Sequence, residues 1–85
     1  MFLYILESAR LDRYYIGVTH DVQTRLHFHN TSPKGWTSRG RPWRLVFQKE
    51  FATTEIARYW ETWLKQQKSR RLIQDIIAGN FEWQP

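Results

Sequence analysis

The hydrophobic positions near the start of the chain follow the pattern of β-strands. Residues 2–7 (FLYILE) and 13–18 (RYYIGV) are rich in β-branched and aromatic side chains. The SARLD segment between them suits a hairpin loop, so an antiparallel hairpin is predicted. Directly opposed residues of such a pair share one face of the sheet, so pairing Tyr4 with Tyr15 would bring the two phenols together.

A helical period replaces the strand pattern after residue 20. Asp21 predicts an N-cap for a helix over about residues 22–30. Arg25 and His29 lie four positions apart in it, so we expect them to share a face. The positions that recur at helical spacing are Val22, Leu26, and His29 or Asn30.

A long loop, a third strand and a second helix are predicted next. Residues 31–43 are dense in Pro, Gly, Ser and Thr and form a loop long enough to be functional. Residues 44–51 resemble a strand, and Thr53 or Thr54 can cap a helix that runs to about Lys68. The side chains expected to face inward from this helix are Ile56, Trp60, Trp63 and Leu64.

A short third helix and a folded-back tail complete the prediction. Ser69 can cap a helix that stops at Gly79. The tail at residues 80–85 is expected to return to the core through Phe81 and Trp83. The inward side chains of the helix are Leu72, Ile73, Ile76 and Ile77.

This order of elements, β-β-α-β-α-α, predicts an α+β fold with a small three-stranded, largely antiparallel sheet flanked by helices. The chain has 85 residues, which supports one hydrophobic core and not two, so residues 1–85 are expected to form a single domain. There is no repeat, low-complexity tract or linker in the sequence.

Charge and composition narrow the class of partner. The net charge is +5, and most of the basic residues are arginines, which match phosphate oxygens well. The chain has no cysteine, which excludes disulfides and thiolate chemistry. There is no apolar run of membrane-spanning length and no signal-like leader, so a soluble cytoplasmic protein that binds a polyanion is expected.

Several separated segments resemble the GIY-YIG nuclease pattern, in order and in spacing. They are Leu3-Tyr4-Ile5, Tyr15-Ile16-Gly17, Arg25 with His29-Asn30, and Glu61 in the later helix. The likeness covers nearly the whole chain. The chain is similar to the small stand-alone endonucleases of this family. Leu3 stands where the family name has glycine, but the adjacent tyrosine, which can exchange a proton near phosphate, is present.

The resemblance implies a metal-dependent endonuclease that hydrolyses phosphodiester bonds, with DNA favoured over RNA. Tyr4 or Tyr15, together with His29, would handle the proton of the attacking water, and which tyrosine does so stays open. Arg25 would hold the scissile phosphate. Glu61 would bind Mg²⁺ or Mn²⁺, since such an ion needs only one or two protein carboxylates.

Four basic residues outside this set are expected to contact the nucleic acid backbone. The tryptophans of the 33–44 region, Trp36 and Trp43, can either stack on bases or fill the core, and the sequence leaves both roles open. The expected phosphate contacts are Lys34, Arg39, Arg41 and Lys65.

A simpler structural role competes with each functional one. The tyrosines also suit a sheet, Arg25 a solvated helix surface, and Glu61 with Lys65 an ordinary helix ion pair. The rival functions are a non-catalytic nucleic-acid-binding module with the same fold, or an interaction domain whose tryptophans bind a protein. A homodimer or a recruiting protein partner is compatible with the small size, and no membrane partner is expected.

Overall fold

The computed structural model describes residues 1–83 and has the predicted α+β architecture and order of elements. A short 3-10 helix, not foreseen, lies within the long loop. None of the helices in the described part is long and apolar enough to cross a membrane. The elements are β1 (Phe2–Ser8), β2 (Arg13–Thr19), α1 (Val22–Thr31), the 3-10 helix (Trp36–Gly40), β3 (Arg44–Glu50), α2 (Thr54–Gln67) and α3 (Arg70–Ile77).

The first strand, β1, lies at the centre of the sheet. The strands are ordered β2-β1-β3 and all neighbours are antiparallel. Successive residues of a strand point to opposite faces, and both faces of β1 are covered, so the whole Leu3–Leu6 stretch is buried. Leu3 and Ile5 lie in a core cluster with α2 and α3, whereas Tyr4 and Leu6 lie in a second cluster with α1. The second face carries the candidate site.

The hairpin register differs from the predicted one by two residues. Tyr4 pairs with Gly17, and Tyr15 pairs with Leu6, so the two tyrosines are diagonal neighbours and not directly opposed. A shift of two residues preserves the face, so both phenols still lie on the same side. Glycine at position 17 makes room for the Tyr4 ring in this register, because a Cβ there would lie 2.6 Å from Tyr4 Oη.

The helix caps agree with the sequence prediction. The side chain of Asp21 accepts a hydrogen bond from the Thr24 amide, and Thr53, rather than Thr54, accepts one from the Ile56 amide. Ser69 accepts one from the Leu72 amide at the start of α3. Lys68 ends α2 in the left-handed conformation, at φ 49°.

One predicted core residue is wrong, because the helical phase of α2 is shifted. Ile56 is 43% exposed, whereas its neighbour Ala57 is fully buried. Ala57, Trp60 and Leu64 are three and four positions apart, so they form the buried stripe, and Ile56 falls beside it.

The tail returns to the core as predicted over its described residues. The rings of Trp60 and Trp83 are 5.2 Å apart between centroids, and those of Trp60 and Phe81 are 6.0 Å apart. The last two residues of the predicted 80–85 tail, Gln84 and Pro85, lie outside the described part of the chain.

Candidate active site

A buried tyrosine and a buried histidine form the centre of the candidate site. Tyr4 Oη and His29 Nε2 are 3.0 Å apart and hydrogen bonded, and the two residues are 1% and 2% exposed. The Asp21 cap fixes the start of α1, and its last turn carries His29 towards β1. The structure therefore brings together two of the residues that the sequence assigned to the site.

The second tyrosine lies beside this pair but remains partly accessible. The ring of Tyr15 is 4.5 Å from that of His29 and 6.1 Å from that of Tyr4, between centroids. Tyr15 is half-buried, in contrast to Tyr4. The two phenols thus lie at different depths around one imidazole.

Arg25 lies one helical turn before His29 and acts electrostatically on Tyr4. Burial raises the pKa of Tyr4, and the nearby Tyr15 and Glu61 raise it further, while the Arg25 guanidinium lowers it by hydrogen bonding and by charge. The net effect is a raised pKa, so Tyr4 stays protonated at neutral pH. The carbon of the guanidinium group also lies 4.8 Å from the centre of the exposed Phe28 ring.

His29 remains neutral at neutral pH. Burial lowers its pKa, and the positive charge of Arg25 lowers it further. Its Nδ1 is buried and makes no hydrogen bond to any of residues 1–83. In the Nδ1-protonated tautomer Tyr4 donates to Nε2, and in the other tautomer Nε2–H donates to the phenol oxygen. The hydrogen bond therefore forms in either tautomer, with the donor and the acceptor exchanged.

Glu61 reaches the site from α2, on the opposite side from α1. Its side chain is 16% exposed, and its carboxylate influences the pKa of Tyr4 from across the cluster. One oxygen, Oε2, accepts a hydrogen bond of 3.1 Å from Lys65 Nζ. Lys65 is 53% exposed at the side chain, and its Nζ lies 6.0 Å from the centre of the Tyr15 ring. Glu61 therefore pairs with Lys65 on its own helix and also lies close enough to act on Tyr4.

Asn30 belongs to the His29-Asn30 segment of the sequence pattern, but the sequence assigned it no role. Its Nδ2 donates to the Trp43 carbonyl at 3.0 Å, and the Trp43 amide donates to its Oδ1 at 2.6 Å. The indole Nε1 of Trp43 donates to the Thr37 carbonyl at 2.6 Å. These bonds tie the end of α1 to the start of β3. An asparagine directly after a candidate catalytic histidine was the available signal.

The basic residues of the long loop lie outside the Tyr4–His29 pair. Arg41 Nε donates to the Ser38 carbonyl at 3.0 Å, so this side chain is fixed along the loop. Lys34 and Arg39 are exposed, and their side chains make no hydrogen bond or ion pair within residues 1–83. The two open tryptophan roles separate: Trp43 is 3% exposed and belongs to the core, whereas Trp36 is 50% exposed.

Comparison with known proteins finds a matching family model and similar chains. Residues 1–74 match the family model of the GIY-YIG catalytic domain. A UPF0213 protein of Streptococcus pneumoniae serotype 4 is 38% identical over 80 residues, which are 93% of this chain and 79% of that protein. A second UPF0213 protein, from Streptococcus pneumoniae strain R6, is 37% identical over the same shares of the two chains.

A solved structure is also similar. The solution NMR structure of a UPF0213 protein from Bacillus halodurans superposes with a TM-score of 0.57 at 35% sequence identity. The match covers 91% of this chain and 81% of that one. The described sheet and helices therefore have a counterpart determined by experiment.

Proposed function

Because this chain belongs to the GIY-YIG catalytic-domain family, we propose that it is an endonuclease that hydrolyses phosphodiester bonds in nucleic acid, with DNA favoured over RNA. GIY-YIG domains are nuclease domains and generally depend on a divalent metal. The observation that supports activity in this chain is the convergence of Arg25, Glu61 and the hydrogen-bonded Tyr4–His29 pair on one cluster.

Arg25 is the group proposed to hold the scissile phosphate. Its guanidinium is permanently charged and has a planar set of donors that matches phosphate oxygens. It lies next to Tyr4 and His29, whose pKa values it lowers. A phosphate bound there would meet fixed donors where negative charge develops during attack.

The exposure of the two phenols gives them different parts in the proposed reaction. Tyr15 is half-buried and is the phenol that can contact the attacking water, whereas Tyr4 is buried and fixes the orientation of His29. A neutral imidazole has one unprotonated nitrogen. His29 is only 2% exposed, so the proton would reach its imidazole through a phenol hydroxyl, which gives its own proton to His29 and takes up the one that the attacking water releases.

Glu61 is the carboxylate proposed to hold Mg²⁺ or Mn²⁺. Residues 1–83 contain no cluster of three or more His, Cys, Asp or Glu side chains of metal-binding geometry. A single carboxylate nonetheless fits Mg²⁺, which keeps several waters and binds substrate phosphate oxygens. Glu61 also suits this role because only Oε2 is engaged, by the exposed Lys65. When bound, the ion would supply positive charge that stabilises the leaving oxygen.

The test of this function is cleavage of labelled single-stranded, duplex and branched DNA, and of RNA, with Mg²⁺, Mn²⁺ or EDTA. We expect the wild-type protein to cut only with metal. The Glu61→Gln variant should be slower by roughly 100-fold or more, since metal stabilisation is worth several kcal/mol. Glu55→Gln is the matched control, because Glu55 is exposed in the first turn of the same helix. A Glu61→Gln variant that cleaves at the wild-type rate would exclude Glu61 as the metal ligand.

A non-catalytic nucleic-acid-binding module is the second candidate. The observation that favours it is the Glu61–Lys65 ion pair, which occupies one oxygen of the proposed metal ligand. Under this alternative the wild-type protein binds nucleic acid in a salt-dependent way, yet leaves every substrate intact with every metal.

A further inference from the structure

A groove of about 360 Å³ opens beside the candidate site, at the exposed edge of the sheet. Its walls come from β2, from the junction between α2 and α3, and from the 3-10 helix. Trp36 and Lys65 line this groove and also border Tyr15: the Trp36 ring is 5.9 Å from the Tyr15 ring, and Lys65 Nζ is 6.0 Å from it. The groove is therefore continuous with the accessible side of the site.

The groove carries an excess of positive charge. Its lining includes Arg13, Lys65, Lys68 and Arg70 and no carboxylate. Arg70 and Lys65 are already paired, with Asp12 and Glu61. The side chains of Arg13 and Lys68 make no hydrogen bond or ion pair within residues 1–83. Two cations are thus left to bind an anion from outside.

Trp36 supplies an exposed aromatic surface next to these cations. Its ring is supported by Tyr15 and by Trp43, at centroid distances of 5.9 and 5.8 Å, and yet the residue remains 50% exposed. A supported aromatic ring with one open side is suited to stacking on a nucleic acid base. A base inside a duplex already has neighbours on both faces, whereas an unpaired base has a face free to stack there.

We propose that this groove binds one unpaired nucleotide beside the cleaved bond, with its base stacked on Trp36 and its phosphate held by Arg13 and Lys68. This inference rests on the proposed nuclease function and adds a substrate class to it, strands that are unpaired next to the cleavage point. The groove provides both features of a single-strand site, a cationic wall and a stacking surface.

The test measures binding in the Glu61→Gln background, so that cleavage does not interfere. The probes are a short fluorescent single-stranded oligodeoxynucleotide and a blunt-ended duplex of the same sequence, followed by fluorescence anisotropy at several salt concentrations. The groove variants are Trp36→Leu and the double variant Arg13→Gln with Lys68→Asn. Asparagine tolerates the left-handed backbone at position 68 and removes the charge.

Arg71→Gln is the matched control, since Arg71 is exposed on α3 and does not line the groove. We expect Trp36→Leu to weaken single-strand binding by roughly 5- to 100-fold and to leave duplex binding unchanged. The double variant should reduce the salt slope for the single strand by about 0.7 for each phosphate that the protein no longer neutralises. The control should leave this slope near that of the parent.

The outcomes separate this inference from the function on which it rests. If the wild-type protein cleaves but both groove variants bind the single strand as the parent does, the groove assignment is overturned and the nuclease stands. Equal weakening of single-strand and duplex binding by Trp36→Leu would overturn stacking on an unpaired base. Should Trp36→Leu fail to fold, as judged by circular dichroism, the double variant, which removes only exposed charges, decides the result. Groove-dependent binding without any cleavage would overturn the nuclease function and the placement beside a cleaved bond.

Discussion

The two helices that border the candidate site hold their polar side chains in different ways. On α1, His29 is buried and bonded to Tyr4, and Asn30 makes two hydrogen bonds to the Trp43 backbone. On α2, Glu61 is held by one ion pair with the half-exposed Lys65. Exposed ion pairs of this spacing contribute only about 0.3–0.5 kcal/mol. The α1 side is therefore held by buried and partly buried hydrogen bonds, whereas the α2 side is held by one weak ion pair.

Because of this difference, substitutions on the two helices should affect stability and catalysis to different extents. Substitutions on the α1 side should disturb both the fold and the proposed reaction, because the same hydrogen bonds would serve both. Glu61→Gln should cost no more than about 0.5 kcal/mol of stability, since it weakens a single helix ion pair of i,i+4 spacing. Variants on α2 such as Glu61→Gln are therefore expected to report on catalysis alone, whereas variants on α1 also change stability.

The largest effect on stability is expected for Asn30→Ala. This change removes both hydrogen bonds between the Asn30 side chain and the Trp43 backbone. The partly buried backbone amide and carbonyl of Trp43 then have no partner. We expect a loss of about 2–3 kcal/mol in the free energy of unfolding, measured by urea denaturation. Asn80→Ala is the matched control, since Asn80 is exposed after α3, and it should change stability by less than about 0.5 kcal/mol. Equal stability of the two variants would mean that the two Asn30–Trp43 hydrogen bonds, called the Asn30 clamp below, do not stabilise the α1 side.

Gly17→Ala should have the next largest effect. The added Cβ would lie 2.6–2.9 Å from three atoms of the Tyr4 side chain, so either the ring or β2 must move. Overpacking of this kind costs about 1–3 kcal/mol and would lengthen the Tyr4–His29 contact. Thermal denaturation measures the cost. In a Tyr4→Leu background the clashing ring is absent, so the same substitution should cost less there. A cost that is identical in both backgrounds would exclude the Tyr4 ring as its origin.

Much of the fold was predictable because local signals agreed. The caps at Asp21 and Ser69 and the aromatic strands all specify their elements within a few residues of sequence. The phase of α2 was not predictable at Ile56, because an apolar side chain at a helix start suits either face. Packing against the sheet decides in favour of Ala57, which has the small volume that a close approach needs.

The sequence predicted which residues would lie in the Tyr4–His29 cluster but not how they are arranged, and their catalytic roles stay a prediction. The resemblance named Tyr4, Arg25 and His29, but the register that brings Tyr4 opposite Gly17 depends on a steric fit between two strands. The Asn30 clamp depends on how the long loop returns to β3, and that path is set by tertiary contacts of Trp43. A short sequence pattern can point to Asn30, but it does not predict which distant residue Asn30 contacts.

The smallest expected effect is a pH dependence of stability that arises from His29. Its pKa in the folded protein is lowered by burial and by Arg25, below the ordinary histidine value of about 6.5 that applies when the chain unfolds. Between these two pKa values the unfolded chain binds a proton that the folded protein does not. Stability from the neutral, buried ring is therefore fully present above the unfolded pKa and is lost as pH falls towards the folded one.

This contribution can be isolated with a matched pair of substitutions on α1. For one proton the slope cannot exceed about 1.4 kcal/mol per pH unit. Urea denaturation between about pH 5 and 8 should show this slope in the wild-type protein and in His27→Gln, since His27 is exposed on the same helix. His29→Gln should lack it, because the amide does not titrate. If His29→Gln shows the same slope as the wild-type protein, a group other than His29 causes the pH dependence. Burial of a neutral His29 would then not distinguish the α1 side from the α2 side.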